Sequence, residues 1–211
     1  MIRSFLSLLY NFHWVVDGEA ARSAQAYAGF LRRFLQQHKI RTVVNLRGSN
    51  PHHSWWRYEA RICRELQIDH CNISVNSRTL PSRATLIEVL NAFETSPKPL
   101  LIKCSGGQDR TSLVAALYVL YRRGWAAQSD ALGQFAKWPY LHWPKRDQRW
   151  LRYFLIYAEQ EAKGRPLMTW VHNEYAPERL MAWLDAQGLH DVFRNLPDQP
   201  ARTFKNGLPV R

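Results

Sequence analysis

Short apolar runs alternate with segments of helical periodicity through the first two thirds of the chain. RTVVNLRG at 41–48 and LLIK at 100–103 are two such runs, and residues 68–75 form a third. Runs of this length, bounded by turn residues, are typical of buried strands. Because helical segments lie between them, the pattern predicts an α/β fold whose central, mostly parallel sheet is flanked by helices.

Apolar residues spaced three and four apart indicate where the helices lie. The predicted helices are 24–38, 55–66, a segment opened by Pro81 and Ser82, 111–123, 128–136, 146–162 and 177–187. The helix at 111–123 is apolar on nearly all sides, so we expect it to be central. The pattern changes at Gly164 and predicts a main domain at 1–163 with a C-terminal helical extension at 164–211. The last residues are rich in Pro, Asn and Arg, and we expect this tail to be mobile.

The composition narrows the binding partners and the cellular location that we expect for the protein. A chain of 211 residues with 46% hydrophobic residues can bury one substantial core. Its formal net charge of +12 favours anionic partners. Three cysteines without zinc spacing predict neither a disulfide framework nor a metal site, and we expect no cofactor. The apolar N-terminus is shorter than a signal core, which favours a cytoplasmic protein with a surface anchor as an alternative use of that segment.

The loop CSGGQDR at 104–110 lies between the third predicted strand and the central helix. In parallel sheets, ligands bind at the carboxyl ends of the strands, where this loop would lie. Cys104 would be at a helix N-terminus, which favours the reactive thiolate form. Gly106 and Gly107 would let backbone N–H groups converge on an anion, and Arg110 has a planar group that can hold two phosphoryl oxygens. The other interpretation is a simple tight turn between a strand and a helix.

Together these residues suggest phosphoryl transfer to a cysteine sulfur followed by hydrolysis. Thr111 would donate its hydroxyl to the leaving sulfur. Asp109 is the nearest candidate for the general acid, because the segment VNSRTLP contains no acidic residue. The alternative roles for Asp109 are to bind backbone amides or to orient Arg110. The residues expected to bind the substrate are Lys103, Ser105, Gly106, Gly107, Gln108 and Arg47.

Cys104, five further residues, Arg110 and Thr111 resemble the Cys-x5-Arg-Ser/Thr loop of the cysteine-dependent protein tyrosine and dual-specificity phosphatases. The upstream segments NFHWVVDGEAARSAQ and TVVNLRG are similar to the opening of compact bacterial and fungal members, in which an Arg-Ser-x-Gln segment recurs. The resemblance covers roughly residues 11–160. It implies a protein-tyrosine-phosphatase-like fold for a phosphatase domain at 1–163, with a metal-independent reaction through a phosphocysteine.

Two departures from the family pattern bear on activity and substrate. Lys103 replaces the usual histidine before the cysteine, and the segment at 75–81, where the family carries its mobile acid, has no aspartate. Subgroups with an aspartate just before the loop arginine include phosphatases resembling the myotubularins and a bacterial group active on phosphotyrosine and phosphoinositides. This similarity supports Asp109 as the acid and keeps a lipid substrate open.

Four functions therefore stay open at the level of sequence. The first is a phosphatase for phosphotyrosine or similar monoesters in proteins, and the second is a phosphoinositide or inositol-phosphate phosphatase. The third is a catalytically weak phosphate-binding pseudophosphatase. The fourth, an RNA-end phosphatase, has only an aromatic-basic segment in its favour, so we do not expect nucleic acid as a partner. The oligomeric state is not predicted.

Several residues near the expected site have simpler interpretations. His52 and His53 are expected to be solvated loop residues, and Arg78, like Arg47, is either a phosphate ligand or an ordinary surface arginine. Cys71 is expected to be a buried, inert thiol, the alternative being a disulfide with Cys104 on oxidation. The segment WPYLHWPKRDQRWLRYF at 138–154 could bind an anionic membrane surface. We favour the alternative that its tryptophans pack the last helices onto the sheet.

Overall fold

The computed structural model describes residues 9–27 and 29–199, together with the backbone of two short strands at 204–205 and 208–209. Five strands form the central sheet: β1 (His13–Val16), β2 (Ala20–Ser23), β3 (Thr42–Asn45), β4 (Asp69–Asn72) and β5 (Leu100–Lys103). Their spatial order is β1-β2-β5-β3-β4, and only the β1–β2 pair is antiparallel. The predicted α/β class with a mostly parallel sheet is therefore confirmed.

Eight helices surround the sheet within the described residues. They are α1 (Leu31–Gln37), α2 (Ser54–Glu65), α3 (Arg83–Thr95), α4 (Asp109–Arg123), α5 (Gln128–Gly133), α6 (Trp150–Ala162), α7 (Leu167–Asn173) and α8 (Pro177–Ala186). Short 3-10 turns precede α5 and α6 at Trp125–Ala127 and Arg146–Gln148, and two short strands, β6 (Phe204–Lys205) and β7 (Leu208–Pro209), pair with each other in antiparallel orientation. None of the helices in the part of the chain described above is long and apolar enough to cross a membrane.

The side chains of each strand alternate between the two faces of the sheet, and each face has its own hydrophobic cluster. Val44 and Ile102 belong to a large cluster with α3, α4 and α6. Val43 and Leu101 belong to a smaller cluster with α1 and α2. Successive side chains of a strand point to opposite faces, so the β-branched runs seen in the sequence are buried on both sides.

The central helix α4 has the burial that its composition predicts. Ten consecutive residues, 111–120, are buried, and the helix ends at Gly124, whose φ is +68°. Ser82 caps α3 by accepting a hydrogen bond from the backbone N–H of Thr85 at 3.1 Å. Both helix ends agree with the expectation from sequence.

The predicted helix at 24–38 is wrong over its first half. Only Leu31–Gln37 is helical, and Tyr27 and Phe30 are 46% and 42% exposed. The backbone N–H of Gln25 donates instead to the carbonyl of Ser105 at 3.0 Å, and Gly29 has a φ of +78°. A long-range contact with the loop therefore overrides the local helical periodicity.

Other elements are shorter than predicted, and several elements were missed. The strands predicted at 41–48 and 68–75 shorten to β3 and β4, and the helices predicted at 128–136 and 146–162 shorten to α5 and α6. The edge strand β1, its antiparallel neighbour β2, the short helix α7 and the short strands β6 and β7 had no counterpart in the prediction. β2 reads AARS, with almost no β propensity, and forms because it pairs in register with β5.

The C-terminal segment shares the core of the rest of the chain. Trp170, Tyr175 and Leu184 belong to the same buried cluster as α4 and α6. The expectation of a mobile tail is wrong for residues 189–199, because Val192, Phe193 and Leu196 are at most 4% exposed. Of the remaining tail, 200–203, 206–207 and 210–211 lie outside the described residues. The division of the chain at residue 163 stays a prediction.

Of the three tryptophans in the segment 138–154 that were expected to pack helices onto the sheet, only Trp150 does so. Trp150 is fully buried, and its Nε1 donates to the carbonyl of Ser77 at 2.8 Å. Trp138 and Trp143 are 73% and 65% exposed, so the expectation that they pack the helices onto the sheet is wrong. They lie in the loop between α5 and α6, outside any helix face that would bury them.

Candidate active site

The loop at 104–108 joins the most central strand to the most buried helix. β5 pairs with both β2 and β3, so its C-terminal end is held from two sides. Cys104 follows directly and is 3% exposed. It borders a cleft of about 280 Å³ at the N-terminus of α4. The residues that line this cleft are Ser77, Arg78, Cys104, Ser105, Gly106, Gln108, Asp109, Arg110 and Gln148.

Gly107 fixes how the loop packs on β2. Its φ is +66°, and a Cβ there would lie 2.5 Å from the backbone nitrogen of Ala24. No side chain fits at that distance, and L-residues avoid that conformation. Gly106 has neither restriction, since a Cβ there would meet only the Gln108 side chain at 3.7 Å or more. Gly107 is therefore structural, whereas Gly106 lines the cleft.

Arg22 holds the far side of the loop, and the residue-by-residue reasoning from sequence missed it. It is fully buried; Nη2 donates to the carbonyl of Gly107 at 3.0 Å and to Oγ of Ser112 at 2.8 Å. Nη1 donates to the carbonyl and the side chain of Gln134. Burial lowers the pKa of Arg22 to about 10, and the charge of a Cys104 thiolate opposes that shift. The only sequence signal was the Arg-Ser-x-Gln resemblance, to which Arg22 belongs.

Lys103 belongs to a buried ionic cluster beside the loop. Its side chain is 2% exposed, and its Nζ lies 2.6 Å from Oε1 of Glu59 and 2.8 Å from Oε1 of Gln25. Burial lowers the pKa of Lys103 to about 8, although the charge of Glu59 opposes the shift. Burial also acts to raise the pKa of Glu59, but hydrogen bonds and charge from His70 and Lys103 bring it below its ordinary value. The Lys103 side chain is thus occupied by Glu59 and is not among the groups that line the cleft.

Arg47 and Arg110 have different surroundings. The guanidinium of Arg47 lies 3.4 Å from the centre of the Trp55 ring, and Arg47 does not line the cleft. Arg110 does line it, with Nη1 3.4 Å from the carbonyl of Leu46 and Nη2 3.4 Å from Oγ of Ser105. Because both of these hydrogen bonds are long, the Arg110 guanidinium is only loosely held before an anion binds.

Thr111 lies beneath the loop, in the first turn of α4. It is fully buried, and its Oγ1 has no hydrogen-bond partner among the described residues. Buried hydroxyls nearly always have a partner, so an unpaired one calls for an explanation. A hydroxyl that serves the cysteine sulfur only during the reaction is one such explanation.

Asp109 is the only residue with a carboxyl group among those that line the cleft. Its Oδ2 accepts a hydrogen bond from Nε2 of Gln148 at 3.1 Å, and its Oδ1 lies 3.4 Å from Nε2 of His142. Gln148 also donates to Oγ of Ser77 at 3.0 Å, which joins the acid to the loop at 75–81. Sequence reasoning missed Gln148 and His142, because they are remote in the chain and carry no motif.

The loop at 75–81 contributes Ser77 and Arg78 to the cleft and is held by later parts of the chain. The backbone N–H of Arg194 donates to the carbonyl of Arg78 at 2.7 Å, and Leu80 donates to the carbonyl of Asn195 at 3.1 Å. Nε of Arg78 lies 3.2 Å from Oδ2 of Asp147. Residues after 189 thus stabilise one wall of the cleft.

The remaining candidates lie away from the cleft. His52 and His53 are exposed, as expected. Cys71 is only half-buried, with Sγ 3.6 Å from Oγ of Ser96. It pairs with Val44, which pairs with Ile102, so β3 lies between Cys71 and the strand that precedes Cys104. Two strand spacings are about 10 Å, which is too far for a disulfide without movement of the backbone.

Several solved structures share this fold. TpbA of P. aeruginosa is 20% identical and aligns over 78% of this chain and 92% of its own, with a TM-score of 0.57. The catalytic core of the PP-IP phosphatase SIW14 of S. cerevisiae is 16% identical over 85% of this chain and 93% of its own, with a TM-score of 0.51. PTPMT1 is 15% identical over 72% of this chain and 98% of its own, also with a TM-score of 0.51. The fold is therefore that of the protein-tyrosine-phosphatase class.

Sequence comparison identifies the family. A family model described as "Swiss Army Knife protein, DSP-PTPase phosphatase domain" matches residues 9–154. The chain belongs to this family and is a phosphoric monoester hydrolase of the cysteine-dependent phosphatase superfamily. The match ends within α6, so the helices α7 and α8 lie outside it. No curated protein matches the sequence.

Proposed function

We propose that this chain hydrolyses phosphate monoesters of the phosphotyrosine or dual-specificity type through a phosphocysteine at Cys104. The single observation that carries the proposal is the position of Cys104. It borders a cleft at the end of β5 together with Arg110, Asp109 and the loop amides at the N-terminus of α4. A helix N-terminus and an arginine favour bound phosphate, and the same two features stabilise a thiolate.

The first step forms a phosphorus–sulfur bond and breaks the ester phosphorus–oxygen bond. The Cys104 thiolate attacks the phosphorus while loop N–H groups and the Arg110 guanidinium hold the non-bridging oxygens. Asp109 gives its proton to the leaving oxygen. Asp109 is assigned this role because no other residue that lines the cleft has a carboxyl group.

The second step regenerates the enzyme. Water attacks the phosphorus, the phosphorus–sulfur bond breaks, and the Asp109 carboxylate takes a proton from the water. The Thr111 hydroxyl, which has no partner in the described structure, donates to the sulfur as it leaves. Ser105, Gly106 and Gln108 line the cleft and bind the phosphoryl group, whereas Gly107, Lys103 and Arg47 do not line it.

A phosphoinositide or inositol-phosphate substrate is the second candidate. Arg78 adds a second guanidinium to the cleft, which favours a ligand with more than one phosphate. Among proteins of this fold, one TpbA structure contains pTyr and one PTPMT1 structure contains PI(5)P. The protein or lipid class of the substrate, and the cytoplasmic location, stay predictions.

A substrate panel separates these alternatives. Wild type, Cys104→Ser and Asp109→Asn are compared on an aryl phosphate, a phosphotyrosine peptide and phosphoinositides, each with and without a chelator. We expect metal-independent turnover that Cys104→Ser abolishes and that Asp109→Asn lowers by about 10²- to 10⁴-fold on poor leaving groups. Turnover by Cys104→Ser near the wild-type rate would refute the proposal, and phosphate binding without turnover by wild type would indicate a pseudophosphatase.

A further inference from the structure

The loop between α5 and α6 presents large apolar side chains to solvent. Trp138 and Trp143 are 73% and 65% exposed, and Leu141 is 38% exposed. Leu141 also has a φ of +55°, a left-handed conformation that is unfavourable for a leucine. Exposed tryptophans concentrated in one loop are unusual for a surface that meets only water.

Cations accompany these side chains. Residues 137–152 contain five of them and a single acidic residue, Asp147: the cations are Lys137, Lys145, Arg146, Arg149 and Arg152. Asp147 is already paired with Arg78 and Arg194. Nζ of Lys137 lies 4.7 Å from the centre of the Trp143 ring, so a cation and an exposed aromatic ring are in direct contact.

A groove of about 930 Å³ lies beside the loop and is also lined by both basic and apolar side chains. Lys137, Arg149 and Arg152 line it. Its apolar lining comes from Leu132, Phe135, Pro144, Tyr153 and Ile156. The loop and this groove together form one surface that is both apolar and basic.

We propose that residues 137–152 dock this protein on a bilayer surface that contains anionic phospholipid. Tryptophan inserts at the level of the lipid headgroups, and neighbouring lysines and arginines bind the negative headgroup charge. Cations alone would also bind RNA or an acidic protein. The protruding Trp138, Leu141 and Trp143 favour the bilayer, because it offers an apolar layer directly beneath the anionic one. Docking does not depend on the proposed reaction.

Vesicle co-sedimentation tests the docking surface. The full chain is mixed with vesicles of phosphatidylcholine alone or of phosphatidylcholine with phosphatidylserine. We expect binding only to the anionic vesicles. The double variant Trp138→Ser and Trp143→Ser should lower the partition coefficient at least about tenfold. The variant Arg149→Gln and Arg152→Gln should weaken binding and reduce its dependence on salt.

Two controls accompany the vesicle experiment: a distant surface variant and an activity measurement. Arg61 is 64% exposed on α2, far along the chain from this loop, and Arg61→Gln should bind like wild type. Aryl phosphate turnover by the tryptophan variant should stay at the wild-type level, which shows that it folds. Equal binding of the tryptophan variant and wild type, no binding to anionic vesicles, or binding to single-stranded RNA in place of vesicles would each overturn the proposal.

A second inference comes from an independent observation at His142. Its side chain is 4% exposed, and Nδ1 lies 3.2 Å from the carbonyl of Phe135. A carbonyl only accepts hydrogen bonds, so Nδ1 carries a proton. Nε2 lies 3.4 Å from Oδ1 of Asp109 and has no hydrogen-bond partner among the described residues.

This arrangement requires one proton between the two groups. If His142 were neutral and Asp109 ionised, the lone pair of a buried imidazole nitrogen would face a carboxylate oxygen. One proton, on Nε2 or on the carboxyl, converts that repulsion into an attraction. The geometry therefore places one proton between His142 Nε2 and Asp109 Oδ1.

We propose that His142 is a positioning residue that keeps a proton available on Asp109 for the leaving group. This inference rests on the proposed reaction. The charged and titratable groups around the pair are Arg78, Arg110 and Cys104 on the cleft side and Lys137, Arg149, Arg152 and Tyr153 on the groove side. Gln148 holds the other oxygen of Asp109, which leaves Oδ1 to His142.

The test compares His142→Gln with wild type on aryl phosphates of good and poor leaving groups across pH. Glutamine keeps an N–H donor near Asp109 but cannot carry the proton. We expect turnover of the poor leaving group to fall at least about tenfold near neutral pH, with little change for the good one. The pH profile of kcat for the poor leaving group should change shape as well, because glutamine cannot carry the proton.

The results separate the role of His142 from the proposed reaction at Cys104. An unchanged pH profile, or an equal loss on both leaving groups, would assign His142 a structural role only. Vanadate binding that matches wild type shows that the variant keeps its fold and cleft. If Cys104→Ser still turns over substrate, the reaction itself is wrong, whatever His142 does.

Discussion

At the scale of single residues, the loop depends on contacts that come from behind it. Gly107 has no room for a side chain against β2, and Arg22 ties its carbonyl to α4 and to Gln134. The groups that face the substrate, such as Arg110, are by contrast loosely held. The loop is thus rigid on its protein side and open on its cleft side, which is what pre-organised binding of an anion requires.

Gly107→Ala should destabilise the protein by about 2–3 kcal/mol or more, because the new Cβ would meet backbone atoms at a positive φ. Gly106→Ala should change the free energy of unfolding by less than about 1 kcal/mol, since a Cβ there has ordinary contacts. Urea denaturation of the two variants measures the difference. Equal losses would show that the loop does not pack on β2 as described.

Arg22→Lys should lower the free energy of unfolding by about 3 kcal/mol, because one ammonium cannot replace a guanidinium that donates to Gly107, Ser112 and Gln134. Aryl phosphate turnover should fall as well, since the loop loses its anchor. A variant with wild-type stability and activity would contradict this role for Arg22.

At the scale of elements, the position of the loop follows from strand pairing and helix burial, which the sequence predicts well. The runs TVVN and LLIK and the apolar helix α4 were recognised because their periodicity reflects burial on both sides. β2 was missed because AARS has no local strand signal and forms only by pairing with β5. His142 and Gln148 were missed for the same reason, since only tertiary contacts bring them to Asp109.

The buried pair of Glu59 on α2 and Lys103 on β5 gives a prediction at this scale. Glu59→Gln should cost about 3–5 kcal/mol at neutral pH, because it leaves the Lys103 charge buried without its partner. The double variant Glu59→Gln and Lys103→Met should recover much of that loss. Thermal denaturation of the single and double variants measures both effects, and a double variant no better than Glu59→Gln would contradict the pairing.

The pair of Glu59 and Lys103 should also make the stability of the fold decrease at low pH. The pKa of Glu59 is below its ordinary value in the folded state, so the unfolded chain binds its proton first as pH falls. The stabilisation is present above about pH 5 and is lost through lower pH. The wild type should therefore lose stability faster than the double variant between about pH 5 and pH 3.

At the scale of the whole molecule, residues 189–199 are part of the packed structure of the enzyme. Phe193 is fully buried, and its neighbours Arg194 and Asn195 hold the cleft loop at 78–80. A sequence rich in Pro, Asn and Arg gives no sign of this, because the anchoring depends on a few apolar side chains between polar ones. The pattern of charged residues likewise does not indicate which tryptophans are exposed.

Phe193→Ala should lower the free energy of unfolding by about 3–5 kcal/mol, as for other large-to-small changes in a core. It should also raise KM for aryl phosphate, since Arg78 belongs to the loop that the segment holds. Gln187→Ala, at an exposed position, is the control and should change stability by less than about 0.5 kcal/mol. A stable Phe193→Ala variant would show that this segment does not pack into the core.

Trapping of the phosphoenzyme tests the central claim most directly. Wild-type protein is mixed with an aryl phosphate, quenched in acid during turnover, digested, and analysed by mass spectrometry. We expect a phosphate on the sulfur of Cys104, which is absent in Cys104→Ser and accumulates when Thr111→Val slows hydrolysis. Turnover without any phosphocysteine, or phosphate on another residue, would contradict it.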